Sequence, residues 1–219
     1  MNMIGALDKE QTGGVKLPIC LVLDKSGSMV EKVGGIVKIE ELNKNVLDFI
    51  EIIKNDSVAS RITDLAIIGV GGMSPEIISG YTSIHKLKFK PLSAWGRTPL
   101  GEAVNMALDL LEKRKAYYKS SGIENYKPIM LLMSDGEPTD QYRYAAQRMT
   151  ENVLDNKIKI FPVGIGRNFN FNILREFSPK LPPKQITSAD GFVELFRLLS
   201  KSASQPHDDS IDKWFMEVI

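Results

Sequence analysis

One cysteine and two histidines stand among the 219 residues. Cys20 has no partner for an internal disulfide, so an oxidising compartment would add nothing to stability. With only His85 and His207 available, a Cys/His zinc cage is excluded. An excess of either charge is also missing: 28 Lys and Arg against 27 Asp and Glu leave +1. So balanced a chain exerts no global pull on nucleic acid or an anionic membrane. No apolar run approaches the roughly 18 residues of a membrane-spanning helix. The first 16 residues are mixed and charged, without the apolar stretch of a signal peptide. These absences predict a soluble, cytoplasmic protein with neither a nucleic acid nor a membrane as partner. Internal repeats and low-complexity runs are absent as well.

What is present is ordinary globular material, 43% hydrophobic and 25% charged. The length suffices for one well-buried domain with a short tail. The run Lys16–Leu23 is nearly continuous in apolar residues, as in a strand buried on both faces. From Ile39 to Ile53, Leu42, Val46, Leu47, Phe49 and Ile50 recur at helical spacing. Asp64–Val70 reads as a strand and Ser79–Leu87 as a weaker one, paired antiparallel at the sheet edge. Thr98 opens a long helix through Leu100, Val104, Ala107, Leu108 and Leu111. Pro99 fits its first position, which makes Thr98 the predicted N-cap.

Pro128–Met133 is a buried strand and Gln141–Leu154 a helix. Lys157–Ile165 is a strand whose Pro162 implies an edge or a bulge. A short helix at Phe171–Phe177, a short strand at Gln185–Thr187 and an amphipathic helix at Phe192–Ser200 complete the pattern. Strands alternating with helices predict a doubly wound, Rossmann-like α/β domain. Its sheet is mostly parallel, with one antiparallel edge strand. The expected organisation is an N-terminal segment at 1–15, one domain at 16–201, and a linker with a short apolar tail at 202–219. Trp214, Phe215 and Ile219 give that tail a face to fold back on the domain; a docking peptide is the other reading.

Chemistry concentrates in three loops. The first strand ends in Asp24-Lys25-Ser26-Gly27-Ser28, with oxygen side chains at alternate positions. The strand Pro128–Met133 runs into Ser134-Asp135-Gly136-Glu137-Pro138-Thr139-Asp140. In the usual doubly wound order these strands are neighbours about 4.8 Å apart. Asp24 and Asp135 then project into the crevice beyond the carboxyl ends of the strands, where ligands bind. Two carboxylates side by side repel, and a divalent cation removes that repulsion. Hydroxyls and carboxylates without His or thiolate favour Mg2+ or Mn2+ over zinc. The third loop is Gly96-Arg97-Thr98-Pro99-Leu100, which brings another hydroxyl toward the same crevice.

Asp24-x-Ser26-x-Ser28, the lone Thr98 in Gly-x-Thr-Pro-Leu, and Asp135-Gly136 after an apolar strand together resemble the von Willebrand factor A domain. The pattern is similar to that family's metal-ion-dependent adhesion site (MIDAS). The resemblance spans about residues 16–200. DKSGSM, GRTPLGEA and SDGEPTD look most like bacterial proteins of the TerY type, associated with tellurite resistance and stress response. What the resemblance implies is binding rather than catalysis. Ser26, Ser28 and Thr98 would contact Mg2+, with Asp24 and Asp135 acting directly or through water. An Asp or Glu of a protein partner would complete the coordination. A protein kinase or a PP2C-type phosphatase is the partner class this subgroup implies. Trp95 and Arg97, beside Thr98, are candidate partner contacts.

Two other readings compete. A strand ending in Asp24 also resembles the haloacid-dehalogenase phosphohydrolases, in which that residue is the nucleophile and Mg2+ assists. Those enzymes usually carry a second Asp two positions later, where this chain has Ser26. The third reading is a subunit of a chelatase-like ATPase assembly, whose motor would be a separate chain. Of the remaining residues, Lys25 is expected in solvent, Asp140 as the cap of the following helix, His85 as structural, and Cys20 as a buried, inert hydrophobe.

Overall fold

The computed structural model describes residues 14–135, 137–166 and 169–217. The first 13 residues, Gly136 of the Asp-Gly pair and Ile219 of the tail lie outside that range. Six strands form the main sheet: β1 (Leu17–Asp24), β4 (Thr63–Val70), β5 (Glu76–Ser83), β6 (Ile129–Ser134), β7 (Lys159–Ile165) and β8 (Lys184–Ile186). Their spatial order is β5-β4-β1-β6-β7-β8. All neighbours are parallel except β4 and β5, which pair antiparallel at the edge. Seven helices surround the sheet among the described residues: α1 (Lys38–Asn55), α2 (Ala59–Ile62), α3 (Leu100–Ser120), α4 (Arg143–Leu154), α5 (Phe171–Phe177), α6 (Ala189–Ser204) and α7 (Ser210–Met216). None of them is long and apolar enough to cross a membrane.

The apolar run of β1 explains the two-sided core. Its residues alternate between faces, as every strand does. Leu17, Ile19, Leu21 and Leu23 pack with α1, α6 and α7 through Leu42, Phe49, Leu195, Leu199 and Phe215. Cys20 and Val22 face α3, α4 and α5 through Val104, Ala107, Met149 and Leu174. Burial pushes the Cys20 thiol up to about 12, which keeps it uncharged and unreactive.

Four local features depart from the sequence expectations. β5 spans Glu76–Ser83, so the predicted strand end lies beyond it, as a turn that exposes His85 and buries Ile84 and Leu87. β7 is interior by strand order, yet β8 pairs only with Val163–Ile165. At Pro162 the strand therefore has no β8 residue beside it, and the missing amide breaks no ladder there. α6 runs to Ser204, four residues past the expected helix end, while α7 places Ile211 and Phe215 in the core, as the fold-back reading of the tail expected. Phe215 meets Phe161 at 5.1 Å between ring centroids.

The fourth is an unpredicted hairpin between the first loop and α1. β2 (Lys32–Val33) pairs antiparallel with β3 (Ile36–Val37). Gly34 and Gly35 connect them, with φ of 60° and 87°. Two consecutive positive φ angles are what a two-residue hairpin turn of the I′ type requires. The sequence offers only a Gly-Gly pair as a signal, between stretches too short to show a strand period.

Candidate metal centre and its relatives

The strand order reverses at β1. The chain leaves it for β4 on one side and later returns to β6 on the other. The crevice at the carboxyl ends of β1 and β6 is the site, and Leu23 and Met133 are paired there. Asp24 follows Leu23 directly, and Asp135 comes one residue beyond Ser134, the end of β6. Both are buried, as are Ser26 and Thr98, and Ser28 is partly so.

The side chains are already organised around one another. The Ser26 amide donates to Asp24 Oδ1 at 2.8 Å. Asp24 Oδ2 accepts from the Ser134 hydroxyl at 2.7 Å and the Asp135 amide at 3.3 Å. The Ser26 and Ser28 hydroxyls stand 3.0 Å apart, and Ser28 donates to Asp135 Oδ1 at 2.5 Å. Four of the expected ligands thus form one connected cluster. Burial, then the neighbouring Asp135 charge, pushes the Asp24 carboxyl up to about 6 against its bonds from Ser26 and Ser134.

Thr98 is not part of that hydrogen-bonded cluster, but its loop is stitched to the neighbouring loops from three sides. The Gly27 amide donates to Gly96 O at 3.1 Å, and the Trp95 amide to Lys25 O at 2.9 Å. Gly72 and Gly96 lie backbone to backbone; a Cβ on Gly96, whose φ is +78°, would stand 2.5 Å from Gly72 Cα. The Thr98 amide donates to the Thr139 hydroxyl at 3.1 Å, and the Thr139 amide to Thr98 O at 2.9 Å. The loops carrying Thr98 and Asp135 are therefore tied together.

The expected caps are exchanged. α3 starts at Leu100 with Pro99 as its N-cap, which lends no side-chain bond. Instead Asp140 accepts from the Gly101 and Glu102 amides at 3.2 and 2.7 Å. Asp140 thus caps α3 rather than the helix that follows it, and Thr98 is relieved of capping. Gly101 permits this approach, since a Cβ there would stand 2.5 Å from Tyr142 Cα.

Lys25 is also corrected. It is 6% exposed rather than solvated. Its stem lies over Gly69 and Gly71, where an added Cβ would meet it at 2.8 and 2.7 Å. Its ammonium pairs with Glu76 at 3.3 Å and lies 5.8 Å from the Trp95 ring centroid. Trp95 packs on Gly72 and yet is 54% exposed at the rim of the crevice, with Arg97 exposed beside it.

The residue that sequence reasoning missed is Lys38, the first of α1. Its ammonium donates to Asp135 Oδ2 at 2.7 Å and to Glu31 Oε2 at 2.8 Å. Burial works against that charge, but the bonds to Asp135 and Glu31 outweigh it and hold the pKa above the usual lysine value. Nothing local marks Lys38, because its partner lies 97 positions away.

The donor set fits a hard divalent ion. Two buried carboxylates and two facing hydroxyls converge, all oxygen. Among the described residues no group of three or more His, Cys, Asp or Glu forms a metal cage.

The family model for the von Willebrand factor type A domain matches residues 19–196. The chain belongs to that family. The match covers the main sheet, but for the first two residues of β1, and most of the flanking helices. Among solved structures, the pilus adhesin SpaC from Lactobacillus rhamnosus GG superposes with a TM-score of 0.66 at 15% identity, over 90% of this chain and 31% of that one. A von Willebrand factor type A protein from Catenulispora acidiphila gives 0.63 at 14%, over 88% and 43%. Proximal thread matrix protein 1 from the mussel byssus, with a zinc-occupied MIDAS motif, gives 0.59 at 14%, over 87% and 48%. The chain spans less than half the length of each. At such identities the likeness is one of fold. No curated protein matches the chain.

Proposed function

We propose that this von Willebrand factor A domain is a metal-dependent protein-binding module rather than an enzyme. In this reading Asp24, Ser26, Ser28, Thr98 and Asp135 form a MIDAS-type site for Mg2+ or Mn2+. The observation that carries it is the hydrogen-bonded cluster of Asp24, Ser26, Ser28 and Asp135 at the β1/β6 crevice. The zinc-occupied MIDAS of the mussel protein supports a divalent ion at the corresponding place in the fold. A bound ion would supply an electrophilic centre for an anionic group. The chain's own residues then have distinct tasks. Ser26 and Ser28 offer neutral oxygens, which leave more of the ion's charge for the incoming ligand. Asp24 is held by Ser26 and Ser134, so its position is set before anything binds. Thr98 is presented by a loop tied to both neighbours. The ligand of this reading is an Asp or Glu of a protein partner, with Trp95 and Arg97 at the rim to meet the surrounding residues.

The surroundings of Asp24 support binding over phosphoryl transfer. Both its oxygens are engaged by Ser26, Ser134 and Asp135 amide or hydroxyl groups. Phosphoryl transfer through such a carboxylate also needs a general acid nearby, and Ser26 stands where that acid would be. The TerY-type motifs extend the proposal to a cytoplasmic bacterial stress-response assembly, with a kinase or PP2C-type phosphatase as the partner class. The test is calorimetric titration with MnCl2 of the protein and its Asp24→Ala and Asp135→Ala variants, each checked for folding by circular dichroism. The expected result is saturable binding of a single ion that both substitutions abolish. Binding unchanged in both variants overturns the assignment.

A further inference from the structure

The cluster contains a cation of its own. Asp135 has a fully buried side chain, and Lys38, 7% exposed, occupies its Oδ2 at 2.7 Å. The other oxygen accepts from Ser28. Lys38 therefore neutralises one of the two carboxylates on which a divalent ion would depend. The same ammonium also touches Glu31, which is 66% exposed and lies 2.8 Å away on the solvent side.

That second contact is built into the backbone. Glu31 and Lys38 flank the β2/β3 hairpin, and the Lys38 amide donates to Glu31 O at 2.9 Å. The Gly34-Gly35 turn holds the two ends of the hairpin together. Lys38 consequently stands between two carboxylates, one belonging to the candidate site and one outside it.

We propose that Lys38 is a resident counter-cation that sets how readily the site takes up its divalent ion. It holds Asp135 while the ion is absent and gives that carboxylate up, retaining Glu31, when the ion arrives. Without Lys38, Asp24 and Asp135 repel in a buried crevice, and a buried charge without a partner is strongly destabilising. With Lys38 left on Asp135, a dication bound to the other oxygen would face an ammonium across one carboxylate. Glu31 relieves that conflict because the lysine need not become unpaired to leave. Lys38 is here a positioning residue that touches no partner; this role rests on the metal-site reading.

Two variants move binding in opposite directions. Lys38→Met removes the competing charge but keeps the stem, so Mn2+ should bind about tenfold more tightly or better. The metal-free protein should melt at a lower temperature than wild type, and its rise on adding Mn2+ should be larger. Glu31→Gln removes the release position, so Mn2+ should bind several-fold more weakly, by the same charge argument. Lys38→Arg, which keeps the charge, should stay near wild type. The measurements are calorimetric titration with MnCl2 and thermal melts with and without chelator.

Equal or weaker Mn2+ binding by Lys38→Met overturns the proposal, since a lysine that merely orients Asp135 would give that result. If Lys38→Met does not fold, Glu31→Gln decides alone, and unchanged affinity in that variant overturns the proposal. Wild type that binds while Lys38→Met binds no better removes this inference and leaves the metal site standing. Absence of binding in wild type and in all three variants removes both.

Discussion

Asp24 is the residue on which the site's electrostatics turn. Its folded pKa of about 6 lies above the value of 3.8 that an unperturbed Asp has. A carboxyl raised in this way stabilises the fold while protonated. That contribution is full below about pH 4 and is lost as pH rises through 6. The metal-free protein at pH 7 thus carries a buried, repelled carboxylate. Asp24→Asn, which mimics the protonated group, should raise the stability of the chelator-treated protein at pH 7 by on the order of 2 kcal/mol. The gain should vanish near pH 4. Urea denaturation at the two pH values checks this, and an equal effect at both would show that charge is not the cause. Lys25 and Lys38 complete the residue picture. Two lysines of one short region are buried, one serving loop packing over Gly69 and Gly71 and the other the carboxylate itself.

At the scale of elements, the N-terminus of α3 shows how one carboxylate frees another side chain. Asp140 satisfies the Gly101 and Glu102 amides from 39 and 38 positions away. Asp140→Ala should therefore destabilise the fold by about 1 kcal/mol, as the loss of a cap does. Thr98→Val should leave stability nearly unchanged and weaken Mn2+ binding. Chemical denaturation beside metal titration of both variants checks the division of labour. A stability loss in Thr98→Val equal to that of Asp140→Ala would return the capping role to Thr98.

The same helix shows what a sequence discloses. β1, α1, α3, β6, α4 and β7 were legible because each is long and its apolar period is clear. That Asp24, Ser26, Ser28 and Asp135 come together was legible because strand ends and a short motif mark them. The Glu31–Lys38 hairpin and the Asp140 cap were not. Their strands are two residues long, or their partners are 38 to 97 positions distant, so no local period announces them. Lys25 was misjudged for a related reason. A lysine is buried only if something makes room, and that room comes from Gly69 and Gly71 on another strand's end.

At the scale of the whole molecule, the doubly wound sheet separates two kinds of buried carboxylate. At the amino end of β4, Asp64 is matched by Arg114 and by the Tyr118 hydroxyl. Arg114 there brings a full positive charge, and the group is a closed structural network. At the opposite, carboxyl end, Asp24 and Asp135 share, among the described residues, hydroxyls, amides and the single ammonium of Lys38. The end where the strand order reverses is the end left with uncompensated negative charge, which is where a cation belongs. The tail supports the framework from the far side of the sheet, with Ile211 and Phe215 in the core around Phe161.

The most direct measurement is a crystal structure grown with MnCl2 and read by anomalous scattering at the manganese edge. The expected result is a single strong peak in the β1/β6 crevice, with the Ser26 and Ser28 hydroxyls about 2 Å from it. Asp24, Thr98 and Asp135 should bind it directly or through water, with one position held by water or a neighbour's carboxylate. A crevice without a peak, or a peak on the Asp24 carboxylate with both serines turned away, would contradict it.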